Sequence, residues 1–345
     1  MRKALCVGID YYESGNSLEQ CVSDAQSIAK VLARHENGDK NFDVECLCTG
    51  TRLESVPVGF DPETEEILFE KKIRDIPISA KLLKSAAEML FDPDKNLEVA
   101  LFYFAGHGYC DANGGYLCAS DSNDPSDGLS LDYLMRLVSG CKASHKIIIL
   151  DSCHSGYAGK LDRMGEFSHL PENTTILASC TNRGTAADGC FTPLMVEALE
   201  GGAMNLMGEV SPGDVYSYID RALGSWDQRP VFKANIENFV CLRKNEAPIK
   251  LAKLREIVDI FPDPEEDKPL DPGYEEDKRD VTDPVYKERD PEKERVFDIL
   301  RDYVALNLVV PVGETRMYYA AVYSKACRLT SLGRYYWKLV NNNSI

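Results

Sequence analysis

The sequence predicts an α/β fold: a mostly parallel sheet flanked by helices, followed by a small separate C-terminal module. Three observations predict it. Short apolar runs alternate with amphipathic helical stretches through residues 1–245. Two of those runs end abruptly in clusters of reactive polar side chains. Beyond Lys244 the composition changes. Strand–helix alternation implies a parallel sheet covered by helices on both faces.

The elements follow in order. "ALCVGI" (4–9) reads as a first strand and Ser23 to about His35 as a first helix. "FDVECLC" (42–48) is a second strand, and a helix is expected from about Ala80 to Leu90. "EVALFYFA" (98–105) is a third strand. Ser130 to Val138 is helical, because Leu131, Leu134, Met135 and Val138 recur at i, i+3, i+4 and i+7. "KIIIL" (146–150) is uniformly apolar, as a central strand buried on both faces must be. "TTILAS" (174–179) is the last of the series.

The chain has 345 residues, 44% of them hydrophobic, enough for one large domain and a small one. No stretch nears the ~20 apolar residues of a membrane helix. The opening "MRKALCVGID" is interrupted by Gly8 and Asp10, so it reads as a strand and not a leader, and a cytoplasmic protein is expected. The twelve cysteines are irregularly spaced, without a CxxC. They read as reduced thiols, mostly buried small hydrophobes such as Cys6, Cys118 and Cys241. Without paired ligand spacing no zinc site, and no metal, is expected. The net charge of −17 argues against nonspecific nucleic-acid binding by the whole chain and suits basic ligands.

Residues 246–291 read as an acidic, proline-rich linker. Within it, 261–291 holds twelve acids, five bases and six prolines. It is extended or disordered, or it wraps the first domain through Phe261, Tyr274 and Tyr286. Residues 292–345 regain apolar and aromatic residues. "ERVFDILRDYVAL" is an amphipathic helix, "TRMYYAAVYSKACRLT" a hairpin or helix–strand unit, and Thr330 an N-cap before a final helix. The segment resembles a winged helix. Its Arg316, Lys325, Arg328 and Arg334 could meet nucleic acid, but a module with "YYW" fits protein interaction better, with a regulatory partner.

The chemistry concentrates in "IIILDSCHSG" (147–156) and "AGHG" (105–108). Both follow a strand, where ligands of such sheets gather. A thiol is a strong nucleophile only as thiolate and needs a base, for which histidine suits neutral pH. Two adjacent parallel strands would unite Cys153 as nucleophile with His107 as base. The amides of Gly108 and Cys153 could stabilise an oxyanion. His154 is a rival base, but a sequence neighbour points elsewhere; His35, His145 and His169 read as structural.

"YFAGHG" with "DSCHSG" resembles the caspase-like cysteine peptidases, most of all metacaspases, paracaspases and their bacterial relatives. The 46 residues from His107 to Cys153 suit the family signature. "ALCVGIDYY", "LEQCVSDA", "GYLCASD" and "ILASCTNRGTAADGCFTPLMVEAL" resemble its flanking elements, so the likeness covers about residues 1–243. It implies a caspase-like sheet and an endopeptidase with a Cys153/His107 dyad, with Gly108 lending an oxyanion amide. It also implies that Asp151, with Asp24 of "CVSDA", lines the pocket for the side chain before the scissile bond, with Asp188 as a third candidate. Asp24 has an alternative place in a Ser23–Gln26 capping box. Two carboxylates favour a cation, so cleavage after Arg, then Lys, of a protein substrate is expected. Some relatives use calcium. Here the loop from Gly108 to Asp121 carries only Asp111 between its ends, so no cofactor is expected and "DSNDPSD" (121–127) reads as a solvated turn. The resemblance also implies a regulated protease of stress, cell-death or antiphage systems. The competing readings are a catalytically silent scaffold or adaptor acting through its C-terminal domain, and thiol-based acyl transfer.

Overall fold

The computed structural model describes residues 1–61, 66–111, 114–153, 170–179, 189–224, 229–275 and 290–345, with the backbone alone at 50–76, Pro125 and Cys153. It divides into two units, 1–246 and 247–345.

The first unit runs β1 (Arg2–Gly8), α1 (Cys21–Ala33), β2 (Asp43–Cys48), β3 (Gly50–Asp61), β4 (Glu66–Ile76), α2 (Ala80–Leu90), β5 (Val99–Cys110), β6 (Gly115–Leu117) and β7 (Leu129–Ser130). It continues with α3 (Leu131–Gly140), β8 (His145–Cys153), β9 (Thr174–Ala178), α4 (Phe191–Glu197), β10 (Glu209–Val210), α5 (Pro212–Leu223), β11 (Val231–Asn235) and β12 (Arg243–Lys244). The strands and helices expected between residues 4 and 179 all lie in it. The main sheet has the order β11-β9-β8-β5-β1-β2. Its neighbours are parallel except β11 and β9.

β5 sits between β1 and β8, buried on both faces. Ala100, Phe102 and Phe104 join one apolar cluster with Leu83, Ala87 and Leu90 of α2 and Leu134, Met135 and Val138 of α3. Val99, Leu101, Tyr103 and Ala105 join another with Ala25, Ile28 and Leu32 of α1, Met195 of α4 and Ile219 of α5. Burying each phenylalanine contributes about 1.5–3 kcal/mol.

Side chains close several helix ends. Ser79 accepts from the Leu82 N–H at 3.2 Å, and Ser211 with Asp214 forms a capping box. The Ser23–Gln26 box is absent. Helix α1 begins at Cys21, and the Ser23 hydroxyl donates to the Gln20 carbonyl at 2.8 Å. Asp10 caps the helix instead, accepting from the Cys21 and Val22 N–H groups at 2.8 and 3.3 Å. A carboxylate eleven residues away does the work because β1 delivers it to the positive end of α1.

The β3–β4 hairpin was not legible as strands, since charged residues and Pro57 break its pattern; among the described residues it pairs only with itself, with a register shift between Pro57 and Gly59. Among the described residues no helix is long and apolar enough to cross a membrane.

The second unit holds α6 (Leu251–Arg255), α7 (Ile257–Ile260), β13 (Lys268–Pro269), α8 (Pro291–Ala305), β14 (Val309–Val312), α9 (Met317–Val322), β15 (Ala326–Leu329) and α10 (Ser331–Asn341). Its antiparallel sheet has the order β13-β15-β14. Thr330 caps α10, accepting from the Gly333 N–H at 3.0 Å. The extended-linker expectation differs from what 247–275 adopt. Leu254, Ile257, Ile260, Phe261, Leu270 and Tyr274 are buried, and β13 pairs with β15. A few well-spaced apolar residues suffice there, and the acids find cations: Asp267 pairs with Arg328 at 2.9 Å and Glu265 with Arg334 at 3.5 Å. Two of the four candidate nucleic-acid contacts are thus engaged within the unit. Tyr286 lies outside the described residues.

Candidate active site

From β1 the chain passes through α1 to β2 on one side; from β5 it passes to β8 on the other. Between β1 and β5 the connections diverge, and α/β sheets bind ligands in the crevice outside the carboxyl ends at such a point. The loops after β1 and β5 meet there.

His107 stands on β5 beyond its pairing with β1. Adjacent β8 carries Cys153 as its register partner. The strand then bends to pair antiparallel with β6, Gly108 opposite Leu117. Gly106 permits the close approach that precedes it. A Cβ there would lie 2.7 Å from the Tyr12 hydroxyl and 3.0 Å from the Phe104 ring. Tyr12 is buried, and its hydroxyl accepts from the His107 N–H at 2.7 Å. The two rings tilt against each other with centroids 4.6 Å apart. Burial pushes the Tyr12 phenol well above its ordinary range, so it stays neutral. The Asn16 carbonyl lies 2.7 Å from His107 Nε2. A carbonyl only accepts, so Nε2 carries the proton and Nδ1 is the nitrogen that can take one.

His107 and Gly108 line a cavity of about 360 Å³ with Tyr12, Asn16, Ser17 and Ser122. A second cavity, about 240 Å³, is lined by Leu18, Gln20, Asp24, Asp151 and Gly189 among others. Asp151 lies two residues before Cys153, and Asp24 lies in the first turn of α1. The Thr192 hydroxyl donates to Asp151 Oδ2 at 2.6 Å and sits 2.6 Å from the buried Tyr103 hydroxyl. Burial foremost, then the charges of Asp151 and Asp10, raises the Asp24 carboxyl to about 7. Two carboxylates facing one cavity raise the proton affinity of the less solvated one.

The structure therefore brings His107 beside Cys153 and Asp24 beside Asp151. Asp188, His154 and His169 lie outside the described residues. His35 accepts from the Lys244 N–H on Nδ1 at 3.1 Å, a structural contact. Sequence reasoning missed Tyr12, Asn16 and Thr192. Tyr12 and Asn16 follow a strand end, the one signal that could have marked them; Thr192 carries none, because its role comes from where α4 packs.

A family model described as the caspase domain matches residues 1–210. Metacaspase-1 of Cryptococcus neoformans is 27% identical over 176 residues, 46% of this chain and 33% of that protein. Metacaspase-3 of Arabidopsis thaliana is 23% identical over 270 residues, 73% of this chain and 67% of that one. The chain thus spans a third of the first relative's length. Caspase-1 from Spodoptera frugiperda, a solved structure, aligns with 71% of this chain and 90% of its own at 14% identity and a TM-score of 0.39.

Proposed function

The chain belongs to the caspase-domain family, a family of cysteine peptidases, and on that premise we propose that it is an endopeptidase with a Cys153/His107 dyad that cleaves after arginine, then lysine. The observation that carries the dyad is the register pairing of His107 with Cys153 at the carboxyl ends of adjacent strands. In the reaction the Cys153 thiol gives its proton to His107 Nδ1 and the sulfur attacks the scissile carbonyl carbon. The oxyanion is met by amides, those of Gly108 and Cys153 being the candidates. When the tetrahedral species collapses, His107 returns the proton to the departing amine. Water then hydrolyses the acyl-enzyme by the same base. The Nε2 contact with Asn16 supports this reading, since it orients the ring with Nδ1 unprotonated.

Basic specificity is supported by the shared cavity of Asp24 and Asp151. A guanidinium can meet two carboxylates at once through its planar fork; an ammonium is a point charge and ranks second; an aspartate is repelled. Asp188 remains a third candidate for that pocket. A positional-scanning library of fluorogenic peptides tests the reading. Cleavage after Arg, lost in Cys153→Ala and weakened in Asp151→Ala, supports it. Preference for Asp refutes the pocket assignment, and no cleavage of any peptide returns the scaffold reading. A regulatory partner for the second unit, and a role in stress, cell-death or antiphage pathways, belong to the same proposal; the pairing of Arg328 and Arg334 with acids favours a protein partner over nucleic acid.

A further inference from the structure

Cys46 and Cys48 lie two residues apart on β2, so both side chains face the same side of the sheet. Their sulfurs are 3.5 Å apart, one thiol bonding the other. β2 ends the order of the main sheet, so solvent reaches Cys46, which is exposed, and less fully Cys48, which is half-buried. Cys6, the register partner of Cys46 on β1, is fully buried. Among the described residues no group of three or more His, Cys, Asp or Glu is arranged to hold a metal ion.

Thr49 follows directly and is buried. Its N–H donates to the Gly8 carbonyl at 3.0 Å. Its hydroxyl accepts from the Asp10 N–H at 2.9 Å and the Tyr11 N–H at 3.3 Å. Asp10 caps α1, and Tyr12 holds the His107 backbone. One residue thus ties the dithiol to the loop on which His107 depends.

We propose that Cys46 and Cys48 are a redox-active dithiol that closes to a disulfide, and that closure displaces Thr49 and loosens the loop from Asp10 to Tyr12 that positions His107. The oxidant is hydrogen peroxide. The Cys46 thiol gives up its proton, and the thiolate attacks one peroxide oxygen; the O–O bond breaks, leaving a sulfenic acid on Cys46 and a hydroxide that takes up that proton and departs as water. The Cys48 sulfur then attacks the Cys46 sulfur; the S–S bond forms, the S–O bond breaks, and a second water leaves with the Cys48 proton. The hydrogen bond from Cys48 lowers the Cys46 thiol to about 7 and correspondingly raises Cys48, which suits Cys46 as the first thiolate. The sulfurs must approach from 3.5 Å to about 2.05 Å. Thr49 adjoins Cys48 and shares in that movement.

The test uses the full-length chain carrying Cys153→Ala, so that no active-site thiol competes and no turnover is needed. After hydrogen peroxide and alkylation, the peptide spanning residues 41–52 should lose the mass of two hydrogens and escape alkylation at both cysteines, and dithiothreitol should reverse this. Two alkylated cysteines, a sulfinic or sulfonic Cys46, or a bond to a third cysteine would overturn closure. Amide exchange across residues 10–12 should accelerate about tenfold on oxidation, and not when Cys46→Ser is added. Unchanged exchange in the oxidised chain, or equal acceleration with Cys46→Ser, would overturn the link to His107.

Discussion

His107 and Cys153 are register partners on the adjacent parallel strands β5 and β8. The backbones of neighbouring strands lie about 4.8 Å apart, and on the proposed reading the base and the thiol act as one unit. Cys153→Ala should abolish peptide cleavage and His107→Ala should lower kcat by about 10³-fold or more. Circular dichroism should be unchanged for both. Wild-type turnover in Cys153→Ala would end the dyad assignment.

Asp24 should make arginine cleavage pH-dependent. Its carboxyl titrates at about 7, so the pocket gains its second negative charge as pH rises through that value. The kcat/KM for an Arg substrate should climb from pH 6 to 8, and Asp24→Asn should flatten the rise. Stability moves the other way. A carboxyl raised above its unfolded value of about 3.9 favours the folded state while protonated, and that contribution is lost as pH rises from about 4 through 7. Asp24→Asn should therefore melt above the wild type at pH 8, with the gap closing as the pH falls through this window.

Gly106 and Tyr12 should couple. Gly106→Ala places a methyl 2.7 Å from the Tyr12 hydroxyl, which costs stability and moves His107. Tyr12→Phe removes that oxygen but strands the His107 N–H, at about 1–3 kcal/mol. The double variant should lose less than the sum of the single changes, measured by chemical denaturation. Strict additivity would deny that the two groups meet.

Thr192→Val removes the hydroxyl that donates to Asp151 at 2.6 Å. KM for Arg peptides should rise roughly three- to tenfold, the equivalent of one hydrogen bond at a net value of about 1 kcal/mol. Labelling of Cys153 by iodoacetamide should keep its rate. Slowed labelling would place Thr192 in the nucleophile's support instead.

Truncation should respect the boundary at Glu246. A chain of residues 1–246 keeps both apolar clusters of the main sheet and should stay folded by thermal melt. A chain ending at residue 291 keeps β13 but loses its partner β15, and exposes Phe261 and Leu270. It should aggregate or bind a hydrophobic dye, unlike the shorter chain.

The sequence by itself determined the strand series and the two reactive clusters, because both are local. Period and run length report burial along one segment: the unbroken "KIIIL", within the strand–helix alternation, reads as a strand covered on both faces. The pairing of His107 with Cys153 was legible for the same reason, since parallel strands of one sheet end at one edge. What only the tertiary structure decided depends on atoms far apart in the chain. Asp10 displaced Ser23 as the cap of α1 because β1 aims it there. Tyr12, Asn16 and Thr192 acquired their roles from loop and helix packing that no periodicity records. Residues 247–275 folded against an acid-rich composition, since Phe261, Leu270 and Tyr274 became buried and Asp267 found Arg328. Composition averages over a segment; burial is decided residue by residue, by the partners that the fold delivers.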